Sequence, residues 1–199
     1  MSEKRLSPGT SGNISVRNPE NKLIALSPSG MDYYIMKPED VVILNPDGSI
    51  ADGIRKPSSE WRLHTDFYRA KPDMFAIVHT HSIYCTVLAC LGMPLKAVHY
   101  AICDSGVCEI PVAPYRTFGT QELSDSVIES IGSSRGVLLQ NHGMVACGIN
   151  INRAFSLAEN MEFCAEIQWR CLAVGQPNIL DQAQMSEAFE QFKTYGQRK

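Results

Sequence analysis

The 199-residue chain lacks the marks of several large protein classes. No apolar run is long enough to span a bilayer, and the start, MSEKRLSPGTSG, lacks the apolar core of a signal peptide. A cytoplasmic location is the expectation. Net charge is also missing: 18 basic and 21 acidic side chains leave a formal −3, so neither nucleic acid nor an anionic membrane is an expected partner. There is no CxxC pair, and seven cysteines are an odd number, a pattern that fits neither a zinc ribbon nor a disulfide framework. Cys147 in MVACG and Cys171 in RCLAV sit in apolar surroundings, so the cysteines read as small buried hydrophobes in a reducing compartment. No repeat, low-complexity tract or long linker divides the chain. Residues 1–199 are therefore expected to form one domain with a core of its own.

What is present is frequent glycine and proline punctuation through the first three-quarters, which suggests short strands and tight loops. Strands are predicted at Ile14–Arg17, Leu23–Leu26, Val41–Asn45, Phe75–His79, Glu109–Ala113, Gly136–Gln140 and Met144–Cys147, with a hairpin turn at NPDGS. PSSEWRLHTDFYRA has capping serines and Leu63, Phe67 and Ala70 at helical spacing. GTQELSDSVIESIG has a Thr120 cap, early acids and a terminal glycine. The longest helix is expected from Arg153 to Val174, with Leu157, Met161, Cys164, Ala165, Gln168 and Leu172 on one face and Glu159, Glu162 and Glu166 on the other. An amphipathic segment from Met185 to Tyr195 closes the chain. Mixed strands and helices of this kind indicate α/β or α+β in one domain.

Histidine is scarce, yet two of the five stand one residue apart in IVHTHS. On extended backbone His79 and His81 point to the same side and can reach one metal ion. His142 in QNHG ends a second apolar run, and three imidazoles with an open position suit a catalytic metal. An HxH pair alone is equally compatible with a structural role. Glu60, which shares the inward face of Leu63 and Phe67, reads either as a helix-capping acid or as a metal-ligating carboxylate. GTSGN, SPSG and PSSE pair hydroxyls with backbone N–H groups: each is a tight turn or a phosphate-binding loop. His64, one turn after Glu60, is expected to hydrogen-bond it or to be half-buried; His99 reads as structural.

Taken in order, GTSGNISVR, SPSGM, PSSEWRLH, VHTHS, APYRTFGTQEL, QNHGMVACG and FKTYG resemble the class II aldolase/adducin family over nearly the whole chain. The resemblance implies an α/β fold with a central, mainly antiparallel sheet flanked by helices, assembled as a homotetramer with active sites at subunit interfaces. It implies one Zn²⁺ per subunit, held by His79, His81, His142 and, before substrate arrives, by Glu60, which then serves as acid/base. Gly12, Asn13, Ser29, Gly30, Ser58 and Ser59 match the positions that hold a substrate phosphate. Tyr100 matches a catalytic tyrosine reaching into the neighbouring subunit's site, and Phe118 and Tyr195 match parts of the pocket wall and lid. The implied reaction is cleavage of a ketose 1-phosphate, L-fuculose 1-phosphate first, to dihydroxyacetone phosphate and L-lactaldehyde.

Alternatives share these motifs. A 5-deoxyribulose-1-phosphate aldolase fits them, whereas pentulose-phosphate 4-epimerases of the family typically carry Asp where Glu60 stands. Family decarboxylases and dehydratases fit PSSEW and FKTYG less well. An adducin-like scaffold would keep the fold without the metal, against which all three histidines and Glu60 are present. Only eight residues precede Gly9, so the additional helix that family members carry before this loop is expected to be missing.

Overall fold

All five residues of strand β5, Ala76–Thr80, are buried, because the strand lies inside a sheet covered on both faces. Its side chains alternate between two cores: Ala76 and Val78 enter one, Ile77 the other. The computed structural model, which describes residues 1–194, sets β5 within eight strands. Their spatial order runs β4 (Ile50–Asp52), β3 (Val42–Leu44), β2 (Ile24–Leu26), β1 (Asn13–Arg17), β5, β10 (Gly143–Gly148), β9 (Gly136–Leu139) and β8 (Val112–Ala113). Every pairing is antiparallel except β8 with β9. A separate ribbon joins β6 (Leu95–Lys96) to β7 (Glu109–Ile110). The expected mainly antiparallel sheet flanked by helices is what forms.

One face is covered by α1 (Trp61–Ala70) and α3 (Gln121–Ile131), which bury Leu63, Phe67, Leu123 and Val127 against Ile77, Val145 and Val137. The other is covered by α2 (Ile83–Cys90) and α4 (Ile151–Val174), with α5 (Gln182–Thr194) adding Met185. Leu157, Ala158, Met161, Cys164 and Ala165 of α4 are essentially inaccessible beneath this face. Burial of this kind contributes about 1.5–3 kcal/mol for each large apolar side chain.

Most predicted elements form, with ends moved by up to three residues. The predicted strand Glu109–Ala113 breaks in two around Pro111, which has no N–H to give to a ladder. Helix α2 had no counterpart in the sequence reading: IYCTVLAC is apolar on every side and shows no helical stripe. Four cysteines are buried as expected, but Cys90 is exposed and Cys108 and Cys171 are half-buried. Among the described residues no helix is long and apolar enough to cross a membrane.

Candidate active site

The site forms where β1, β5 and β10 end together. His79 lies opposite Asn13 of β1 and Val145 of β10, so its ring points to the same face as Ile77, towards α1. His81 follows two residues later. The chain then turns into α2, whose first turn is pinned by Glu162: its carboxylate accepts N–H groups of Tyr84 and Cys85, both at 2.9 Å. Glu162, expected on a polar face of α4, therefore braces the backbone behind His81.

His142 reaches the same point from the β9–β10 hairpin. Asn141 before it takes a left-handed φ of 55°, and His142 N–H closes the turn on Leu139 C=O at 3.0 Å. Next to it Gly143 is required by space, because a Cβ there would stand 2.3 Å from Thr80 C=O. The three imidazole rings lie with centroids 4.8–5.0 Å apart, and their ligating nitrogens all fall within 4.8 Å of one another. His79 gives its Nδ1–H to Met144 C=O at 2.9 Å, which turns Nε2 towards the cup as the atom that would ligate a metal.

Glu60 closes the cup. It stands at the N-cap of α1, but its side chain makes no capping bond. Instead Oε2 lies 3.1 Å from His79 Nε2 and accepts from Asn13 Nδ2 at 2.9 Å, while Oε1 sits 3.4 Å from His142 Nε2. Of the two roles open to it in the sequence, the cap is the one it does not fill. Among the described residues Oε1 has no hydrogen-bond partner, and a cation in the cup would satisfy this buried acceptor.

Charge states suit a metal. Burial works to raise the Glu60 carboxyl, but the charge and hydrogen bond of His79, backed by His142 and Asn13, hold it well below the usual carboxylate range. Burial and the neighbouring His79 lower His81 and His142 to about 4, so both are neutral at pH 7, the form that ligates. His79 is pushed up against its burial by Glu60. Three neutral-capable imidazoles and one ionised carboxylate are a donor set that fits Zn²⁺.

Above the cup opens a cleft of about 340 Å³. Gly12, Asn13, Ser29, Gly30, Ser58, Ser59 and Phe118 all border it together with Glu60, His81 and His142. The SPSG and PSSE loops are tied to each other: Ser29 N–H bonds Lys56 C=O at 2.9 Å and Ser58 N–H bonds Ser27 C=O at 3.1 Å. Gly12, at φ +78°, has no room for a side chain, since a Cβ would stand 2.6 Å from His79 C=O. Tyr33 holds this loop by donating to the carbonyls of Ser11 and Gly12, and burial pushes its own hydroxyl up to about 12.

Other expectations are met differently. Asn13 spends its carboxamide on Glu60 and His64. His64 is fully buried and bonded to Asn13 and Ser15, not to Glu60. His99 accepts the N–H of Ala101 at 3.2 Å, a structural cap as read. Tyr100, on a 3-10 turn spanning Tyr100–Ser105, is 54% exposed and stacks beside His99, outside this chain's own cleft. Tyr195 lies outside the described residues. Arg116 and Tyr115 also border the cleft, which the sequence reading missed; an arginine and an aromatic side by side in a loop rich in Pro, Thr and Gly were the available signal. A second cavity, about 380 Å³, opens at the far end of β10 beside Arg135, Gly148 and Arg153 and holds none of the converging ligands.

This donor set, beneath loops of small polar residues, could hold a metal ion and suits an oxygen-rich anion beside it. The chain belongs to the class II aldolase and adducin family: the model of the Class II Aldolase and Adducin N-terminal domain matches residues 1–169. It is 47% identical over 198 residues to 5-deoxy-D-ribulose 1-phosphate aldolase of Bacillus thuringiensis serovar kurstaki, covering 100% of this chain and 92% of that one. It is 39% identical to L-fuculose phosphate aldolase of Escherichia coli O157:H7, covering 100% of this chain and 91% of that one. A solved L-fuculose 1-phosphate aldolase superposes with a TM-score of 0.93 at 40% identity, over 96% of this chain and 90% of that one.

Proposed function

We propose that the chain is a zinc-dependent aldolase that cleaves a ketose 1-phosphate ending in a methyl group to dihydroxyacetone phosphate and a small aldehyde. The observation that carries this reading is the convergence of His79, His81, His142 and Glu60 beneath three loops suited to a phosphate. L-Fuculose 1-phosphate would give L-lactaldehyde and 5-deoxyribulose 1-phosphate would give acetaldehyde. The 47% identity to a 5-deoxy-D-ribulose 1-phosphate aldolase supports testing the pentulose beside the hexulose.

Zinc held by His79, His81 and His142, with Glu60 as a further ligand only before substrate arrives, would supply the positive charge that stabilises the electron pair left at C3 when the C3–C4 bond breaks. This chain's own groups handle the rest. Backbone N–H groups and hydroxyls of the Gly12, Ser29–Gly30 and Ser58–Ser59 loops hold the phosphate, and Arg116 at the rim adds a cation. Phe118 and Tyr115 wall the cleft from water. Glu60, ionised and held by Asn13, is the group on which the C4 hydroxyl proton ends, and it then gives that proton to C3. The C4 hydroxyl hands its proton on through a second hydroxyl, for which we propose Tyr100 of an adjacent subunit in a homotetramer: the phenol releases its own proton towards Glu60 as it receives the one from C4. Its outward position and exposure support that assignment.

The test is kcat/KM for release of dihydroxyacetone phosphate from 5-deoxyribulose 1-phosphate and from L-fuculose 1-phosphate, with L-ribulose 5-phosphate epimerisation in parallel. Release from either ketose 1-phosphate supports the reading and ranks the substrates. Epimerisation without cleavage would move the chain to the epimerases.

A further inference from the structure

Strand β1 is turned the wrong way for a core strand. Its inward residues are Asn13, Ser15 and Arg17, all buried, whereas Val16 between them is 39% exposed. Facing it is the side of α1 that carries Glu60, His64 and Tyr68, spaced four apart. The two polar stripes interlock into one chain of hydrogen bonds. Tyr68 Oη lies 2.8 Å from Ser15 Oγ, and Ser15 Oγ lies 2.6 Å from His64 Nδ1. His64 Nε2 meets Asn13 Oδ1 at 2.5 Å, and Asn13 Nδ2 meets Glu60 Oε2 at 2.9 Å.

The direction of each bond follows from the end of the chain. An ionised carboxylate only accepts, so Asn13 turns Nδ2 to Glu60 and Oδ1 to His64. A carbonyl oxygen only accepts, so His64 carries its hydrogen on Nε2 and leaves Nδ1 bare. Nδ1 then accepts from the Ser15 hydroxyl, whose oxygen accepts from Tyr68. Every hydrogen points towards Glu60. Burial lowers His64 to about 3 and raises Tyr68 above the ordinary phenol range, so neither group changes charge near neutrality. Such a network costs more to bury than apolar contacts of equal volume, and its cost falls on stability. Its return is geometric.

We infer that His64 is a positioning residue: it locks the Asn13 carboxamide, through which Glu60 is held against the three-histidine cup. This rests on the metal-site reading above. Without the Nε2–H donor, Asn13 is free to turn its oxygen to Glu60, where two acceptors repel, and the carboxylate loses its fixed place. Outer partners of this kind typically change metal affinity by about 10–100-fold when removed.

The experiment is Zn²⁺ affinity by competition with a chromogenic chelator, and the visible spectrum of the Co²⁺-loaded protein. The proteins compared are the full chain, His64→Phe, His64→Gln, Glu60→Ala and the double variant Glu60→Ala/His64→Phe. His64→Phe is expected to weaken Zn²⁺ by about tenfold or more and to shift the Co²⁺ bands. His64→Gln, whose carboxamide offers both a donor and an acceptor, restores affinity to within about threefold. In the Glu60→Ala background His64→Phe adds nothing, because nothing is left to position. An equal penalty in both backgrounds, or none in either, overturns the inference and assigns His64 to folding alone. If His64→Phe does not fold, Ser15→Ala carries the test: severalfold weakening that vanishes in Glu60→Ala supports it, and no weakening overturns it. A parent protein without stoichiometric Zn²⁺, or unaffected by Glu60→Ala, overturns the metal-site reading itself and this inference with it.

Discussion

Helices α4 and α1 meet opposite faces of one sheet in opposite ways. Beneath α4, Leu157, Ala158, Met161 and Cys164 press on Val78, Met144 and Ala146, apolar against apolar. Beneath α1, part of the contact is polar: Glu60, His64 and Tyr68 against Asn13, Ser15 and Arg17. Among the described residues no carboxylate pairs with the buried Arg17; it gives its N–H groups to the carbonyls of Tyr68, Pro72 and Met74 and lies 4.9 Å over the Tyr68 ring. The first contact is apolar throughout, whereas the second adds to its apolar core a polar seam that places a carboxylate.

That contrast can be broken from either side. The largest effect is expected at the cup: His142→Ala, or a strong chelator, removes the metal and lowers release of dihydroxyacetone phosphate by about 10³-fold or more, since Lewis-acid stabilisation is worth several kcal/mol. Metal analysis beside the rate checks it, and the melting curve of His142→Ala should hardly move in chelator. The reverse holds on the α4 face. Met161→Ala, at a site 1% exposed, is expected to cost about 2–5 kcal/mol in urea unfolding and to leave Zn²⁺ affinity unchanged.

A smaller effect separates the faces by pH. His64 has a folded-state pKa of about 3 against an ordinary 6.5, so between those values the unfolded chain holds the extra proton. In chelator, stability is therefore expected to fall as pH drops from 6.5 towards 3, by an amount on the order of a few kcal/mol. His64→Gln should remove the His64 share of that slope and leave the share of His81 and His142, while Met161→Ala should remove none of it; parallel unfolding series from pH 7 to 4 read the difference. Smallest is Arg116→Ala at the exposed rim of the cleft, expected to raise KM for the sugar phosphate by about tenfold with kcat little changed.

The α4 face was legible in the sequence and the α1 face was legible only in part. Leu157, Met161, Cys164 and Ala165 repeat at helical spacing, and the helix they predict is the one that forms. HxH on a strand likewise announced a shared direction, and His142 joined it from another apolar run. Glu60 stayed ambiguous because an acid at a helix start suits the dipole whether or not it turns inward. His64 was undervalued for a related reason. A buried histidine is recognised by its partners, and these come from β1, where the polar residues alternate with Ile14 and Val16 in a pattern that also fits an outward-facing stripe. Register with β5 decides which stripe is inside, and register is a tertiary fact. Arg116 and Tyr115 were missed because a loop carries no period to read.

The most direct test of the account is release of dihydroxyacetone phosphate from the two ketose 1-phosphates, with and without chelator, for the full chain beside Glu60→Gln. The account predicts chelator-sensitive release that Glu60→Gln reduces by about 10²–10⁴-fold, the usual worth of a positioned acid/base. Release that survives both chelator and Glu60→Gln, or a fully metal-loaded protein that cleaves neither sugar phosphate, would contradict it.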